Sequence, residues 1–142
     1  MIHLQIVTLT GTKFDDDVYE VILPTLDGEI GVLPGHMPLI SVATNGVISV
    51  RRKSKDPVSA REYFATNGGV IEVSSNTLLI IVDEADHADE INEAEAEAAH
   101  QRAMQMKAEA KDQVSLDHAQ ALLDRSSIRL QVAGLKRRHQ RP

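Results

Sequence analysis

Histidines and aspartates are the residues of this chain that would serve a catalytic or metal site. The six histidines are scattered, and none lies four residues from another, which is the spacing of a helical metal site. Cysteine is absent, which excludes disulfides and thiolate ligands. The acidic run Asp15–Asp17 is predicted to be a solvated turn between two strands. No pattern typical of a nucleophile elbow or a phosphate-binding loop occurs. We therefore expect no catalytic residue and no metal ion.

The segment 28–39 has the most distinctive composition in the chain. It contains three glycines and two prolines in twelve residues. Glycine permits positive φ or a close backbone approach, whereas proline fixes φ and removes a hydrogen-bond donor. Pro38 also pushes Met37 away from the helical region. The segment is therefore predicted to be a shaped, rigid loop that joins strands.

The net charge of −6 is unevenly distributed. Residues 118–142 carry six Lys or Arg against one Asp, whereas the rest of the chain is acidic. A basic end on an acidic protein favours an acidic partner, and a solvated helix end is the simpler alternative. Aromatic residues make up 3%, so binding of nucleic acid by base stacking is not expected. The chain also lacks a targeting signal and any apolar run near 20 residues, which predicts a soluble cytoplasmic protein.

The periodicity of the sequence changes near residue 85. In residues 1–85, short β-branched or apolar runs alternate with turn signals such as Asn45–Gly46 and Asn67–Gly69. In residues 86–142, strong helix formers dominate. The predicted fold is an N-terminal antiparallel β-sandwich, or flattened barrel, followed by a C-terminal antiparallel α-helical hairpin.

The helical half is predicted to contain one helix from Ala88 to about Lys111 and another from about Ser115 to Arg138, with a turn at 112–114. Small or apolar residues recur along both at spacings of three and four. These stripes comprise Ala96, Ala99, Ala103, Met106 and Ala110 in the first helix, and Leu116, Ala119, Leu123, Ser126, Leu130 and Ala133 in the second. They predict close antiparallel packing. Since alanine buries little apolar area, we expect a marginal hairpin that either detaches for a better partner or serves as a simple stabilising appendage.

Three segments carry a resemblance to a known family. Segment 28–39 has the pattern Gly-x-x-Gly-x-x-Pro-Gly-His-x-Pro-Leu, segment 65–73 reads Ala-Thr-Asn-Gly-Gly-Val-Ile-Glu-Val, and segment 78–85 is an apolar strand with an acidic exit. Together with the Ala-rich hairpin and basic end, they resemble the epsilon subunit of bacterial F-type ATP synthase over the full length. The resemblance implies a non-catalytic central-stalk subunit that couples proton-driven rotation of the c-ring to ATP synthesis. It also implies a peripheral position at the cytoplasmic face of the bacterial plasma membrane, held there through the complex.

The resemblance further implies contact residues. Contact with the gamma subunit and the polar loops of the c-ring falls on Glu29, Gly31, Pro34, Gly35, His36 and Pro38. The imidazole of His36 is expected to hold the loop by bonding backbone groups rather than to transfer protons. An extended hairpin would restrain ATP hydrolysis by meeting an acidic segment of the beta subunit with Arg125, Arg129, Lys136, Arg137, Arg138 and Arg141.

A regulatory ATP site in the folded hairpin is the last implied feature. Several family members open the first helix with Ile/Leu-Asp-x-x-Arg-Ala, whereas this chain reads Ile-Asn-Glu-Ala-Glu-Ala at 91–96. The matching positions are Asn92, Arg102, Arg125 and Arg129. Because Glu95 places a negative charge where an arginine is expected, we predict weak or no binding of ATP and no other cofactor. The alternatives are a free-standing ATP-sensing module and a sandwich enzyme that uses segment 28–39.

Overall fold

A computed structural model describes residues 1–140, in which eight β-strands precede two α-helices. Short 3-10 turns occur at Val58–Ala60 and Ala88–Glu90. The strands are β1 (Ile2–Thr8), β2 (Gly11–Val18), β3 (Glu20–Thr25), β4 (Gly28–Val32), β5 (Leu39–Arg51), β6 (Glu62–Ser74), β7 (Thr77–Val82) and β8 (Ala85–His87); the helices are α1 (Glu93–Glu109) and α2 (Gln113–Gln140). The β-sandwich and helical hairpin predicted from the sequence are confirmed.

The strands follow the order β2-β1-β7-β6-β5-β3-β4, and β8 adds to β6. β5 and β6 are 13 residues long and pair with each other along most of their length. All pairs are antiparallel except β1 with β7, which is parallel. No short turn connects these two strands, so nothing in the local sequence forces them to be antiparallel.

The glycine-containing segments 45–46 and 67–69 lie inside β5 and β6, so the prediction that they are turns is wrong. Gly68 has φ +105°, and a Cβ on Gly69 would lie only 2.0 Å from the carbonyl oxygen of Ile81. Because glycine has no Cβ, the two long strands can bend here and approach the backbone of the neighbouring strands closely, and they continue past these positions.

The acidic run Asp15–Asp17 lies in the edge strand β2, so its assignment as a turn is also wrong. Phe14 and Val18 are buried at alternate positions and set the strand period despite the aspartates. The outer carboxylates bond the His3 ring, at 2.8 Å from Asp17 and 2.6 Å from Asp15, and raise its pKa. The aspartates therefore join the edge strand β2 to its neighbour β1 through side-chain hydrogen bonds.

The core of the sandwich consists of apolar side chains at alternate positions of both layers. Nine large side chains are fully buried: Ile2, Leu4, Ile6, Leu23, Ile48, Phe64, Ile71, Leu78 and Ile80. Their burial stabilises the platform that carries the loops and the hairpin.

The hairpin is folded against the sandwich. α2 packs on β5 and β6, and α1 packs mainly on α2. At the seam, the buried residues Tyr63, Ala65, Ala88 and Val132 form a second apolar cluster, separate from the sandwich core. On the other face of α2, the predicted stripe is half-buried or buried, with Ala119, Ser126 and Ala133 enclosed. α2 is therefore the layer that holds α1 to the protein.

Both helices begin at capping residues, at positions that differ from the predicted ones. The side chain of Asn92 accepts a hydrogen bond from the Glu95 N–H at 3.1 Å, so α1 starts at Glu93 and not at Ala88. The side chain of Asp112 accepts one from the Ser115 N–H at 2.7 Å, so the chain is already helical from Gln113. The predicted turn at 112–114 therefore lies slightly earlier.

Candidate functional site

The loop between β4 and β5 is shorter than the sequence predicts, because residues 28–32 belong to β4. It turns at Pro34 and Gly35, where the His36 N–H bonds the Leu33 carbonyl at 3.1 Å. Gly35 has φ +83°, and proline precedes it, which is the arrangement of a type II turn. The residue types thus specify the backbone path of the loop.

Two further hydrogen bonds hold this loop. The Gly35 N–H donates to the side-chain oxygen of Asn76 at 2.8 Å, which joins the loop to the turn between β6 and β7. Nδ1 of His36 lies 2.6 Å from the carbonyl oxygen of Met37. The imidazole therefore bonds the backbone locally, as expected from the sequence. The Met37 side chain is 74% exposed at the tip.

Glu29 and Gly31 are exposed within β4 and do not lie in the loop. Glu29 is paired in register with Pro24. It lines a cleft of about 520 Å³ that extends to Ile128 and Leu135 of α2. Since three residues of strand, about 10 Å, separate Glu29 from the end of β4 at Val32, the predicted contact residues divide into two places.

An exposed apolar row crosses the sheet next to the loop. Val42, Val70 and Ile81 are partners in register on β5, β6 and β7. About half of each side chain is exposed, and Ile40 on the same face of β5 is 78% exposed. We refer to these four residues as the apolar row. Contiguous exposed apolar surface of this kind is typical of protein contacts. Strand alternation does not reveal which face of a sheet remains uncovered, so the row could not be predicted from the sequence.

The basic residues of α2 are paired with acidic residues that precede or begin α1. Arg125 holds Glu84 through two hydrogen bonds of 2.8 and 2.9 Å, and Arg129 contacts Asp86. These bonds lower the pKa of Glu84 and raise that of Arg125, against the opposing effect of burial. Two of the expected partner-binding cations are thus neutralised within the chain.

The same arrangement continues toward the end of α2. Lys136 lies 2.5 Å from Asp89 and lowers the pKa of that carboxyl, and Arg137 contacts Glu93. Arg138 is exposed, and Arg141 lies outside the described residues. The cations were predicted from the sequence, whereas their acidic partners within the chain were not.

Three of the four predicted nucleotide-site residues come together. Arg102, Arg125 and Arg129 line a cleft of about 400 Å³ between the helices, and Glu95 lines it with them. Asn92 is instead used as the cap of α1. The cleft therefore has three guanidinium groups, two of which are already bound to carboxylates.

The part of the chain that the structure describes contains neither a metal site nor a membrane-spanning helix. Within residues 1–140, no group of three or more His, Asp or Glu side chains could hold a metal ion. Neither of the two helices in that range is long and apolar enough to cross a membrane.

The fold defines a two-domain class of protein, in which a β-sandwich is followed by long α-helices. Family models of the ATP synthase delta/epsilon chain match both parts: the β-sandwich domain matches residues 1–88, and the long alpha-helix domain matches residues 89–134. The chain therefore belongs to the ATP synthase delta/epsilon chain family.

Individual relatives agree with this assignment. The chain is 37% identical to an ATP synthase epsilon chain of Herpetosiphon aurantiacus over 139 residues, which covers 98% of each. It is 35% identical to that of Staphylococcus haemolyticus over 95% of this chain and 98% of the relative. Among solved structures, a chain in the Euglena gracilis mitochondrial ATP synthase OSCP/F1/c-ring assembly matches with a TM-score of 0.78 at 20% identity. That match covers 93% of this chain and 80% of the other and shows a shared fold.

Proposed function

We propose that this chain is a non-catalytic central-stalk subunit that couples rotation of the c-ring to ATP synthesis through the gamma subunit. The observation that carries the proposal is the pinned loop at Pro34–Pro38 beside the exposed apolar row. A rotating stalk needs a contact that transmits torque, and a loop fixed by its backbone and by Asn76 yields little under load. Acting in the complex would place the chain peripherally at the cytoplasmic face of the plasma membrane.

The apolar row is proposed as the face that binds gamma. Ile40, at one end of the row, lies two residues after Pro38, so the row begins next to the loop. Val70→Glu places a charge in the centre of the row and should abolish co-purification with gamma. Val58→Glu is the matched control, because Val58 is 62% exposed and lies outside the row. Equal recovery of gamma with both variants would refute this assignment.

Glu29 is proposed to face the polar loops of the c-ring. Glu29→Lys reverses an exposed charge without disturbing the core, since Glu29 is exposed in β4. We expect gamma to co-purify normally while ATP-driven proton pumping by the assembled complex declines. Unchanged pumping would remove Glu29 from the coupling contact.

The hairpin is proposed to restrain ATP hydrolysis by extending toward an acidic segment of the beta subunit. Its basic residues supply the positive charge for that contact. Its small residues bury little apolar area, so releasing the hairpin from the sandwich costs little free energy. Deleting residues 118–142 should accelerate ATP hydrolysis by the assembled complex. A rate unchanged by the deletion would rule out restraint by this segment.

Regulatory ATP is proposed to bind weakly or not at all. Three arginines at one cleft favour the alternative of an ATP-sensing module, but Glu84 and Asp86 already occupy two of them and Glu95 repels phosphate. Titration calorimetry of the isolated chain with ATP and magnesium should show no micromolar binding. Micromolar affinity would instead support the sensor.

A further inference from the structure

The segment that links the sandwich to α1 runs beside α2 and presents one acid to each of four cations. We call Glu84, Asp86, Asp89 and Glu93 the linker acids, and Arg125, Arg129, Lys136 and Arg137 the basic face. The pairs follow the same order in both segments, from Glu84 with Arg125 to Glu93 with Arg137. The linker therefore follows α2 for about 18 Å, the rise of twelve helical residues.

The spacing of three members of the basic face explains how one helix meets three of the four acids, whereas Arg137 lies about 100° further around α2 and meets Glu93 of α1. Residues 125, 129 and 136 are four and seven apart, which places them on one side of α2 at 100° per residue. The acids come from different local structures, since Asp86 lies in β8, Asp89 in a 3-10 turn and Glu93 at the start of α1. The periodicity of α2 is therefore sufficient to align these three cations, although the acids that they meet do not share one regular structure.

We propose that the linker acids and the basic face form an electrostatic latch that holds the hairpin folded without nucleotide and must open before the basic face can bind an acidic protein. The acids and an acidic partner would compete for the same four cations. Three of the pairs join the sandwich and its exit to α2 and break when α2 leaves, whereas Arg137 and Glu93 both belong to the hairpin. With these pairs open, only the small apolar seam at Val132 would still hold α2 to the sandwich.

The central pair is the strongest element of the latch. The side chains of Asp86 and Arg129 are 23% and 17% exposed, so solvent screens them least. The other pairs are more exposed, and each contributes little by itself. The three pairs outside the hairpin open together and can nevertheless set the balance between two states a few kcal/mol apart.

The test measures hairpin release in the isolated full chain. Since the protein has no cysteine, Ser54→Cys and Val114→Cys provide unique positions for spin labels on the sandwich and on the hairpin tip. Pulsed electron resonance then gives the released fraction from the distribution of distances between the labels, in nucleotide-free buffer. Raising KCl from 50 to 500 mM should increase release several-fold, because screening weakens the pairs.

Variants of the central pair show whether the effect is specific. Arg129→Glu should increase release about tenfold, whereas Arg129→Lys should leave most of the hairpin folded. Arg138→Glu makes the same charge change on an exposed residue of the same helix and should release little. If Arg138→Glu releases the hairpin as strongly as Arg129→Glu, the latch is refuted and net charge alone explains release.

A double-mutant cycle separates the pair from a folding defect. Asp86→Asn and Arg129→Gln should each increase release, and their combination should release less than the product of the two effects, because the second change removes an already unpaired charge. Independent, multiplying effects would refute the pairing.

The consequence for hydrolysis rests on the proposed function, whereas the latch is a property of the isolated chain. Asp86→Asn leaves the basic face intact but easier to reach, so ATP hydrolysis by the assembled complex should fall several-fold. If the variant releases the hairpin in isolation and hydrolysis does not change, the proposed restraint fails while the latch stands.

Discussion

Replacing Val132 with alanine should undock the hairpin without unfolding the sandwich. Val132 is fully buried in the seam cluster against Tyr63, Ala65 and Ala88, which is separate from the sandwich core. Removing two methyl groups costs about 1.6 kcal/mol in transfer free energy, and the remaining cavity raises the loss to about 2 kcal/mol. A loss of this size shifts the docking equilibrium about thirty-fold.

Hydrogen exchange of the backbone amides measures this shift segment by segment. Amides of α1 and α2 that are protected only while the hairpin is docked should exchange about thirty-fold faster in Val132→Ala, while amides of β1 and β6 keep their protection. Val114→Ala is the matched control, because Val114 is 81% exposed near the start of the same helix. Both changes replace valine with alanine within α2, but only Val132 is buried, so the difference between them reports chiefly on the packing at the seam.

Two results would contradict this reasoning. If β1 and β6 lose protection together with the helices, the sandwich and hairpin unfold as one unit and the seam is not a separate boundary. If Val132→Ala and Val114→Ala exchange alike, the seam contributes nothing measurable to docking.

Three further variants test other parts of the structure. Gly69→Ala should destabilise the sandwich by at least about 3 kcal/mol in urea unfolding, because its Cβ would lie 2.0 Å from the Ile81 carbonyl, whereas Gly31→Ala meets nothing within 4 Å and should change little. Asn92→Ala should remove the cap of α1, cost about 1 kcal/mol and accelerate amide exchange in its first turn. Docking lowers the pKa of Glu84 from its ordinary 4.5, because the docked Arg125 bonds the ionised carboxylate. The stability that this pair gives to the docked hairpin is therefore present above pH 4.5 and is lost as pH falls. Distances between spin labels at positions 54 and 114 should then show that the hairpin is released as pH falls. Glu84→Gln should make this release depend less on pH.

Most of the secondary structure could be predicted from short-range patterns, and the errors have physical causes. The Asp15–Asp17 run was misassigned because two buried apolar neighbours outweighed three turn-forming residues. The glycines at 68 and 69 were assigned to a turn because the sequence does not distinguish a chain reversal from a bent strand. α1 began late because Asn92, rather than the acidic run before it, provides the cap.

The surfaces of the candidate site were less predictable than the elements that carry them. Pro34 and Gly35 specify their turn locally, so the loop could be anticipated. The apolar row could not, because Val42 and Ile81 meet only through the registers of three strands. The cations of α2 were recognised, but their partners were assigned to another subunit and the acids within the chain were overlooked.

Local sequence was enough to predict strands followed by helices, the sandwich, the helical stripes and the turn at Pro34–Gly35. Each depends on backbone preferences or periodicity within a few residues. The bond from Gly35 to Asn76 and the pairing of Arg125 with Glu84 could not be predicted in this way, because the two members of each pair are 41 residues apart. Such contacts depend on strand register and on the side of α2 that packs against the sandwich. These are set by packing of the whole chain and not by local sequence.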